Sequence, residues 1–184
     1  LLNASPTKES IAKAVSKWDS FELENAIERH KLCGGTVRTN AEWLTELHGK
    51  ILSTKPVIEI IKIDSSDPEP IPKGERPLTG IRALDLTRIL AGPIAGRTLA
   101  EHGADVLRVT ASHTPQVHAY LADTSHGKRS CFLDIRKKEN ACQLKELVKK
   151  ADIFSQGYRP GTIDRQGFGA EELSKIRPGL IYIS

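Results

Sequence analysis

The chain has 184 residues, of which 39% are hydrophobic and 27% are charged, and its formal net charge is +4. This balance is typical of a globular protein with one core or two small ones, and it excludes collagen-like, coiled-coil and disordered chains. No apolar run approaches the roughly 20 residues of a membrane-spanning helix, so we expect no membrane partner.

Residues 1–63 are predicted to form a small, mostly helical segment. Two sets of apolar residues recur at helical spacing and predict two helices: Ile11, Val15 and Trp18, then Leu23, Ala26 and Ile27. The run Thr39-Asn40-Ala41-Glu42 is typical of a capping box, because the Thr hydroxyl and the Glu carboxylate each accept a hydrogen bond from the other residue's amide. It predicts a third helix through Ile51, followed by a strand over residues 57–63.

Residues 64–77 are predicted to be a linker, because four prolines restrict φ and remove backbone donors. The residues before Arg76 carry 10 basic and 12 acidic side chains, whereas those from Arg76 onwards carry 17 and 11. The positive excess indicates an anionic partner for the second part. Since no five-residue basic run, zinc finger or basic stripe with aromatics is present, we expect a phosphate-bearing small molecule rather than nucleic acid.

Residues 78–184 alternate between predicted strands and helices. Short apolar runs predict five strands, over residues 81–86, 105–109, 131–135, 152–155 and 180–184. Helical spacing predicts helices over residues 92–101, 141–151 and 171–176. This alternation favours an α/β fold class, a Rossmann-like parallel sheet with helices on both faces, preceded by the small helical segment.

Ligands bind beyond the carboxyl ends of the strands in an open parallel sheet, so the loops next to the predicted strands are the candidates for a site. Residues 87–93 lead into a helix N-terminus, whose free amides attract anions. The run Gly127-Lys128-Arg129-Ser130 places two cations together, either to bind a phosphate or to remain solvated. Residues 156–165 supply an aromatic ring and two arginines, which suit an adenine nucleotide. Arg165 is alternatively a surface charge paired with Asp164 or Glu171.

No residue stands out as a catalytic acid, base or nucleophile. The chain has no Gly-x-Gly-x-x-Gly fingerprint, no Gly-Lys-Ser/Thr phosphate loop and no Gly-x-Ser-x-Gly elbow, so NAD, ATP and serine hydrolysis are poorly supported. The three cysteines lack metal-ligand spacing, so we expect neither a metal site nor a disulfide framework. A reducing compartment follows, with the cytoplasm as the expected location and mitochondria or peroxisomes left open.

Four motifs in residues 76–184 carry a resemblance to a known family. They are the run from Arg76 to Pro93, Glu101-His102-Gly103-Ala104-Asp105-Val106, Gly127-Lys128-Arg129-Ser130 and Tyr158-Arg159-Pro160-Gly161. In this order and spacing they resemble the family III CoA-transferases, the carnitine and bile-acid CoA-transferase group that includes formyl-CoA transferase and α-methylacyl-CoA racemase. Residues 39–63 resemble more loosely the helical tail of a preceding family unit.

The resemblance implies acyl-CoA and carboxylic acid substrates, a site for coenzyme A, and an interlocked homodimer or a pseudo-dimer of tandem units. It implies eight binding residues: Ile89 and Leu90 at the thioester end, Thr110 and Ala111 beside the adenosine, Lys128 and Arg165 at the phosphates, and Gly157 and Tyr158 beside the pantetheine or adenine. Many members carry a carboxylate where Thr110 stands, an arginine near Ala111 and an asparagine where Gly157 stands. The adenosine contacts are therefore expected to differ here.

The resemblance further implies transfer of CoA through an acyl-aspartyl anhydride and an aspartyl-CoA thioester. The family's essential Asp corresponds to a position after Ser184, so we expect this chain to be a fragment that lacks its nucleophile and is inactive alone. Two alternatives stay open. One is racemisation of an α-methylacyl-CoA by acid/base chemistry, and the other is a noncatalytic CoA-binding or assembly module.

Overall fold

A computed structural model describes residues 1–184 and divides the chain into two compact units, Leu1–Ile60 and Ile61–Ser184. The first unit contains four helices: α1 Lys8–Val15, α2 Ser20–Arg29, α3 Asn40–Thr45 and α4 Leu47–Ser53. Asp19 accepts hydrogen bonds from the first amides of α2, and the predicted capping box of Thr39 and Glu42, which begins α3, is confirmed.

Two predictions for the first unit are wrong. The helix expected through Ile51 is interrupted at Glu46, which has an extended ψ of 149° and whose carboxylate accepts from Arg38 Nε at 3.2 Å. The break in the helix coincides with this contact. Residues 57–63 form no strand and are exposed, because a strand needs a partner and no strand of the chain pairs with them.

The second unit confirms the α/β prediction with a five-stranded parallel sheet. Its elements are β1 Arg82–Leu86, α5 Ala91–Glu101, β2 Asp105–Thr110, α6 His118–Thr124, β3 Lys128–Phe132, α7 Lys138–Val148, β4 Ile153–Gln156, a 3₁₀ turn Asp164–Gln166, α8 Ala170–Ile176 and β5 Ile181–Ile183. The strand order is β3-β2-β1-β4-β5, and every pairing is parallel. The order therefore reverses between β1 and β4, next to the central strand.

Two elements differ from the prediction. The third strand begins three residues earlier than expected, at Lys128 rather than Cys131, because Lys128 to Phe132 pair with Val106 to Thr110 of β2. Helix α6 occupies a stretch for which no element was predicted. Its seven residues carry no capping side chain and bury only Thr124, so its sequence signal is weak.

The two faces of the sheet bury separate apolar cores, as the alternation of side chains along a strand requires. Ala83 and Val106 pack with Ala100 of α5 on one face. Leu84 and Phe154 pack with Leu144 and Val148 of α7 on the other, together with Ile163, Phe168 and Leu173. The helices thus fix the sheet on both sides and leave the loops at its carboxyl edge open.

None of the helices combines the length and the hydropathy needed to cross a lipid bilayer. All three cysteines are free thiols, and no group of three or more His, Cys, Asp or Glu side chains is arranged to hold a metal ion.

Candidate functional site

A cleft of 220 Å³ lies at the carboxyl edge of the sheet, where the end of β1 meets the loops after three other strands. The end of β1 contributes Leu86, and the other three loops contribute the remaining walls: Thr110, Ala111, His113 and Thr114 after β2, Leu133, Ile135 and Arg136 after β3, and Tyr158, Thr162 and Gln166 after β4. The cleft therefore lies beside the point where the strand order reverses, the usual position for ligands in open parallel sheets.

A larger groove of 330 Å³ lies at the amino-terminal half of the same sheet face, between Leu84, Leu107 and Leu147. Its polar rim consists of Asp105, which pairs with Arg129, and the side chains of Arg82 and Lys150. Size alone does not identify a site. We take the smaller cleft as the candidate because the end of β1 and the loops after three other strands meet there, at the carboxyl edge.

Thr110 and Ala111 form a rigid wall of the cleft. The Thr110 hydroxyl lies 3.0 Å from the Thr114 hydroxyl and accepts from Gln116 Nε2 at 3.2 Å. Since the Thr114 hydroxyl donates to the Ala111 carbonyl at 2.6 Å, the Thr110 hydroxyl donates to Thr114. Both residues are buried, and these bonds use the hydroxyl of Thr110 as donor and acceptor within the loop.

Arg136 is a cation of the cleft that the sequence analysis missed. Its guanidinium makes a two-point contact with Asp134, with Nε to Oδ1 at 2.8 Å and Nη2 to Oδ2 at 2.7 Å. This contact holds the pKa of the Asp134 carboxyl well below its usual range and raises the pKa of Arg136. His113 Nδ1 stands 3.6 Å from the same carboxylate. The signal was available, because Arg136 follows a predicted strand as directly as Tyr158 does.

Tyr158 supplies the aromatic wall of the cleft. Its backbone amide donates to Gln156 Oε1 at 2.7 Å, which fixes the turn after β4. Burial raises the pKa of the Tyr158 phenol, and the nearby charge of Arg88 opposes this shift. The phenol therefore stays neutral at physiological pH, and the ring presents an uncharged apolar surface to the cleft.

Ile89 and Leu90 lie in the turn between β1 and α5, with 48% and 44% of their surfaces exposed. Ile89 has a φ of 72°, in the left-handed region that β-branched residues disfavour. No side chain caps the N-terminus of α5, so its first amides remain free to bind an acceptor.

Gly157 and Arg165 are exposed residues after β4. A Cβ at Gly157 would meet nothing within 4 Å, so this glycine leaves open space beside the cleft. Arg165 lies in the 3₁₀ turn and forms no ion pair, which excludes the pairing with Asp164 or Glu171 considered from the sequence.

Lys128 lies on the opposite face of the sheet, beneath α5. Its side chain has no exposed area, and its ammonium donates to Asp85 Oδ2 and to the Pro93 carbonyl, both at 2.7 Å. Arg165 instead lies in the turn between Ile163 and Phe168, which pack in the core on the α7 face. The structure therefore does not bring Lys128 and Arg165 into one phosphate site, contrary to the expectation from the sequence.

Comparison with known proteins gives a family match and several relatives. Residues 78–184 match the model of CoA-transferase family III. The acetyl-coenzyme A transferase nodX of Hypoxylon pulicicidum is 31% identical over 94% of this chain and 32% of that protein. The acetyl-CoA:oxalate CoA-transferase of Acetobacter aceti is 36% identical over 61% of this chain and 31% of that protein. The chain thus spans about a third of the length of these curated relatives.

A solved structure with similar architecture is that of a CAIB/BAIF family protein from Brucella suis. It is 35% identical to this chain, with a TM-score of 0.53 over 58% of this chain and 32% of that protein. The fungal match, at 94% of the chain, includes residues of both units.

Proposed function

The chain belongs to CoA-transferase family III, and we propose that it supplies the coenzyme A site of an enzyme that moves CoA between an acyl-CoA thioester and a carboxylate. The relatives that support this proposal are named as CoA-transferases acting with acetyl-CoA and oxalate, succinyl-CoA and glutarate, or formyl-CoA and oxalate. Acyl-CoA and a carboxylic acid are accordingly the proposed substrates.

The observation that carries the proposal is the cleft at the carboxyl edge, which Arg136 and Tyr158 line. Arg88 lies near Tyr158, because its charge partly opposes the rise of the phenol pKa that burial causes. Arg165 and Arg159 follow on the same loop, and neither is used in an ion pair. Guanidinium groups beside an uncharged ring, those of Arg159 and Arg165 without an ion pair, suit a phosphorylated adenosine better than a neutral or cationic ligand.

The volume of the cleft limits which part of the ligand it holds. A whole-ligand site measures roughly 300–1,000 Å³, so a cleft of 220 Å³ suits only one portion of coenzyme A. We assign the adenosine to the space between Thr110, Ala111 and Tyr158, with Gly157 leaving room beside it. The phosphates are assigned to Arg136 and Arg165.

The thioester end is assigned to Ile89 and Leu90 and to the uncapped N-terminus of α5. Exposed apolar side chains next to free backbone amides suit an acyl chain and a carbonyl oxygen, respectively. Lys128 is not assigned to the phosphates, because its ammonium is buried against Asp85. The aspartyl step of the transfer is not assigned to Asp85 or Asp134. Asp85 already binds Lys128, and Asp134 already binds Arg136.

The first unit is proposed to be the end part of a preceding family unit, which would make the whole protein a pseudo-dimer of tandem units. This proposal is supported by two fungal relatives that match 94% and 95% of the chain, whereas the Acetobacter aceti protein matches 61%. The alternative is an interlocked homodimer. Analytical ultracentrifugation of the whole protein would then show a dimer, whereas the tandem arrangement predicts a monomer.

Calorimetric titration of the chain with coenzyme A tests the site. A hydrogen bond to a charged group contributes about 1.5–3 kcal/mol, and Arg136 is 58% exposed, so we expect Arg136→Gln to weaken binding by about tenfold, the lower end of that range. Arg129→Gln is the matched control, because Arg129 also pairs with an aspartate but lies at the amino edge. Absence of CoA binding, or equal affinities of Arg136→Gln and the wild type, would refute the proposed site.

A further inference from the structure

An ion pair buried under α5 is not part of the cleft, and the proposed function leaves it without a role. The side chains of Lys128 and Asp85 are 0% and 3% exposed, and Lys128 Nζ lies 2.7 Å from Asp85 Oδ2. In every other ion pair of the chain at least one side chain is 15% exposed or more. Removing two charges from water is costly, so stability alone does not account for the pair.

The pair is connected to both ends of the turn between β1 and α5. The second oxygen of Asp85, Oδ1, accepts hydrogen bonds from the Thr87 amide at 2.9 Å and from the Thr87 hydroxyl. On the other side, the ammonium of Lys128 donates to the carbonyl of Pro93, in the first turn of α5, at 2.7 Å. One buried contact therefore fixes the residue where the turn begins and the helix where it ends.

Helix α5 is built to admit this contact. A Cβ at Gly96 would lie 2.5 Å from Asp85 Oδ2 and 2.9 Å from Lys128 Nζ, so any larger residue would displace the pair. Gly96 lies within the helix, where glycine is a poor helix former. The sequence thus accepts a weaker helix at the point where the two charges approach its backbone.

The turn that the pair brackets is strained. Ile89 holds a φ of 72°, a conformation that is costly for a β-branched residue and persists only when its surroundings fix it. Such outliers concentrate at sites where a fixed geometry serves binding or catalysis. Between Thr87 and Pro93, the two ends that the pair fixes, the turn itself is exposed at Arg88, Ile89 and Leu90.

We propose that Lys128 and Asp85 are positioning residues, whose buried contact holds the Thr87–Leu90 turn in its strained shape for the ligand. The proposal rests on the proposed function in one respect, because the ligand at this turn is taken to be the thioester end of coenzyme A. Neither residue touches that ligand. They act through Thr87 and Pro93. This role explains why Lys128, a basic residue at the start of β3, does not line the cleft.

The test separates positioning from stability with a double variant, Asp85→Asn with Lys128→Met. It leaves no unpaired buried charge, keeps an acceptor for Thr87 at position 85, and removes the link to Pro93. We expect it to unfold at a urea concentration near that of the wild type, while exchange accelerates at least tenfold at the amides of Thr87 and Ile94, the hydrogen-bonded amides on either side of the turn. The control is Asp105→Asn with Arg129→Met, which removes an exposed ion pair between β2 and β3 at the amino edge of the sheet, away from the turn.

Unchanged exchange at the amides of Thr87 and Ile94 in a folded double variant would overturn the proposal. Coenzyme A titration gives a second readout: the affinity of the double variant should fall at least tenfold and that of the control should not, and equal affinities would overturn the proposal too. If the wild-type chain binds no coenzyme A, the proposed function fails, and the exchange experiment still decides whether the pair positions the turn.

A further comparison does not depend on the double variant folding. In the wild-type chain, Ile89→Gly should unfold at a higher urea concentration than Ile89→Ala, because only glycine adopts a positive φ without strain. Equal midpoints would mean that the turn is not held in the left-handed region, and the proposal would be overturned.

Discussion

Replacing Gly96 by alanine sets two effects of known size against each other. Alanine in a helix interior is favoured over glycine by up to about 1 kcal/mol. Against this, the added Cβ would lie 2.5 Å from Asp85 Oδ2 and 2.9 Å from Lys128 Nζ, and overpacking of a well-packed site costs about 1–3 kcal/mol. If the buried pair separates, the cost rises to about 3–5 kcal/mol. The cost of the close contacts exceeds the gain in helix propensity, so we expect Gly96→Ala to lower the free energy of unfolding by about 2 kcal/mol.

The assay has to report on the second unit alone, because a chain of two units does not unfold in a single two-state step. Amide exchange at β1 measures the second unit, whereas the fluorescence of Trp18 and Trp43, both in the first unit, should not change. Gly157→Ala is the matched control, since a Cβ there meets nothing within 4 Å. If Gly96→Ala is as stable as the wild type, the pair moves aside without cost, and the reasoning about its tight fit is refuted.

Two further predictions concern the cores of the two units. Leu144 is fully buried on the α7 face, so Leu144→Ala should lower the free energy of unfolding of the second unit by about 2–5 kcal/mol, measured by amide exchange at β1. In the first unit, Arg38 lowers the pKa of Glu24 from 4.5 to about 2. A lowered folded-state pKa means stability that is complete above pH 4.5 and is lost as the pH falls towards 2, so tryptophan fluorescence should report acid unfolding of this unit in that window. In Arg38→Gln this part of the pH dependence should disappear, and an unchanged acid transition would contradict the assignment.

Local sequence signals predicted most of the second unit, because strand and helix periodicity depends on neighbours along the chain. The parallel α/β sheet follows from the alternation of elements and is confirmed by the strand order. The start of β3 was displaced because Lys128 and Arg129 suggest a solvated loop. Lys128 enters the sheet only because Asp85, 43 residues away, neutralises its charge. No local signal contains that partner.

The strand predicted over residues 57–63 failed for a related reason. β-Branched residues favour a strand only where a second strand and an apolar surface are available. Val57 and Ile60 are almost fully exposed, so the segment has the composition of a strand without either condition. The interrupted helix at Glu46 is the converse case, in which a locally sufficient helical pattern is broken at a residue that contacts Arg38.

In the candidate site, too, some features follow from the topology of the sheet and others depend on partners that are distant in the sequence. A parallel sheet brings the loops after its strands to one edge, so the segments after β1, β2 and β4 could be named in advance. The sequence does not show which cation stays free for an anionic ligand. That depends on whether folding brings a carboxylate close enough to each basic side chain to form an ion pair. Lys128 fails that test and Arg165 passes it, although the two looked equivalent in the sequence. A basic residue at a strand is therefore a candidate for ligand binding only if no buried carboxylate lies next to it on the same face of the sheet. In this sheet that condition favours the arginines of the carboxyl-edge loops over Lys128 of β3.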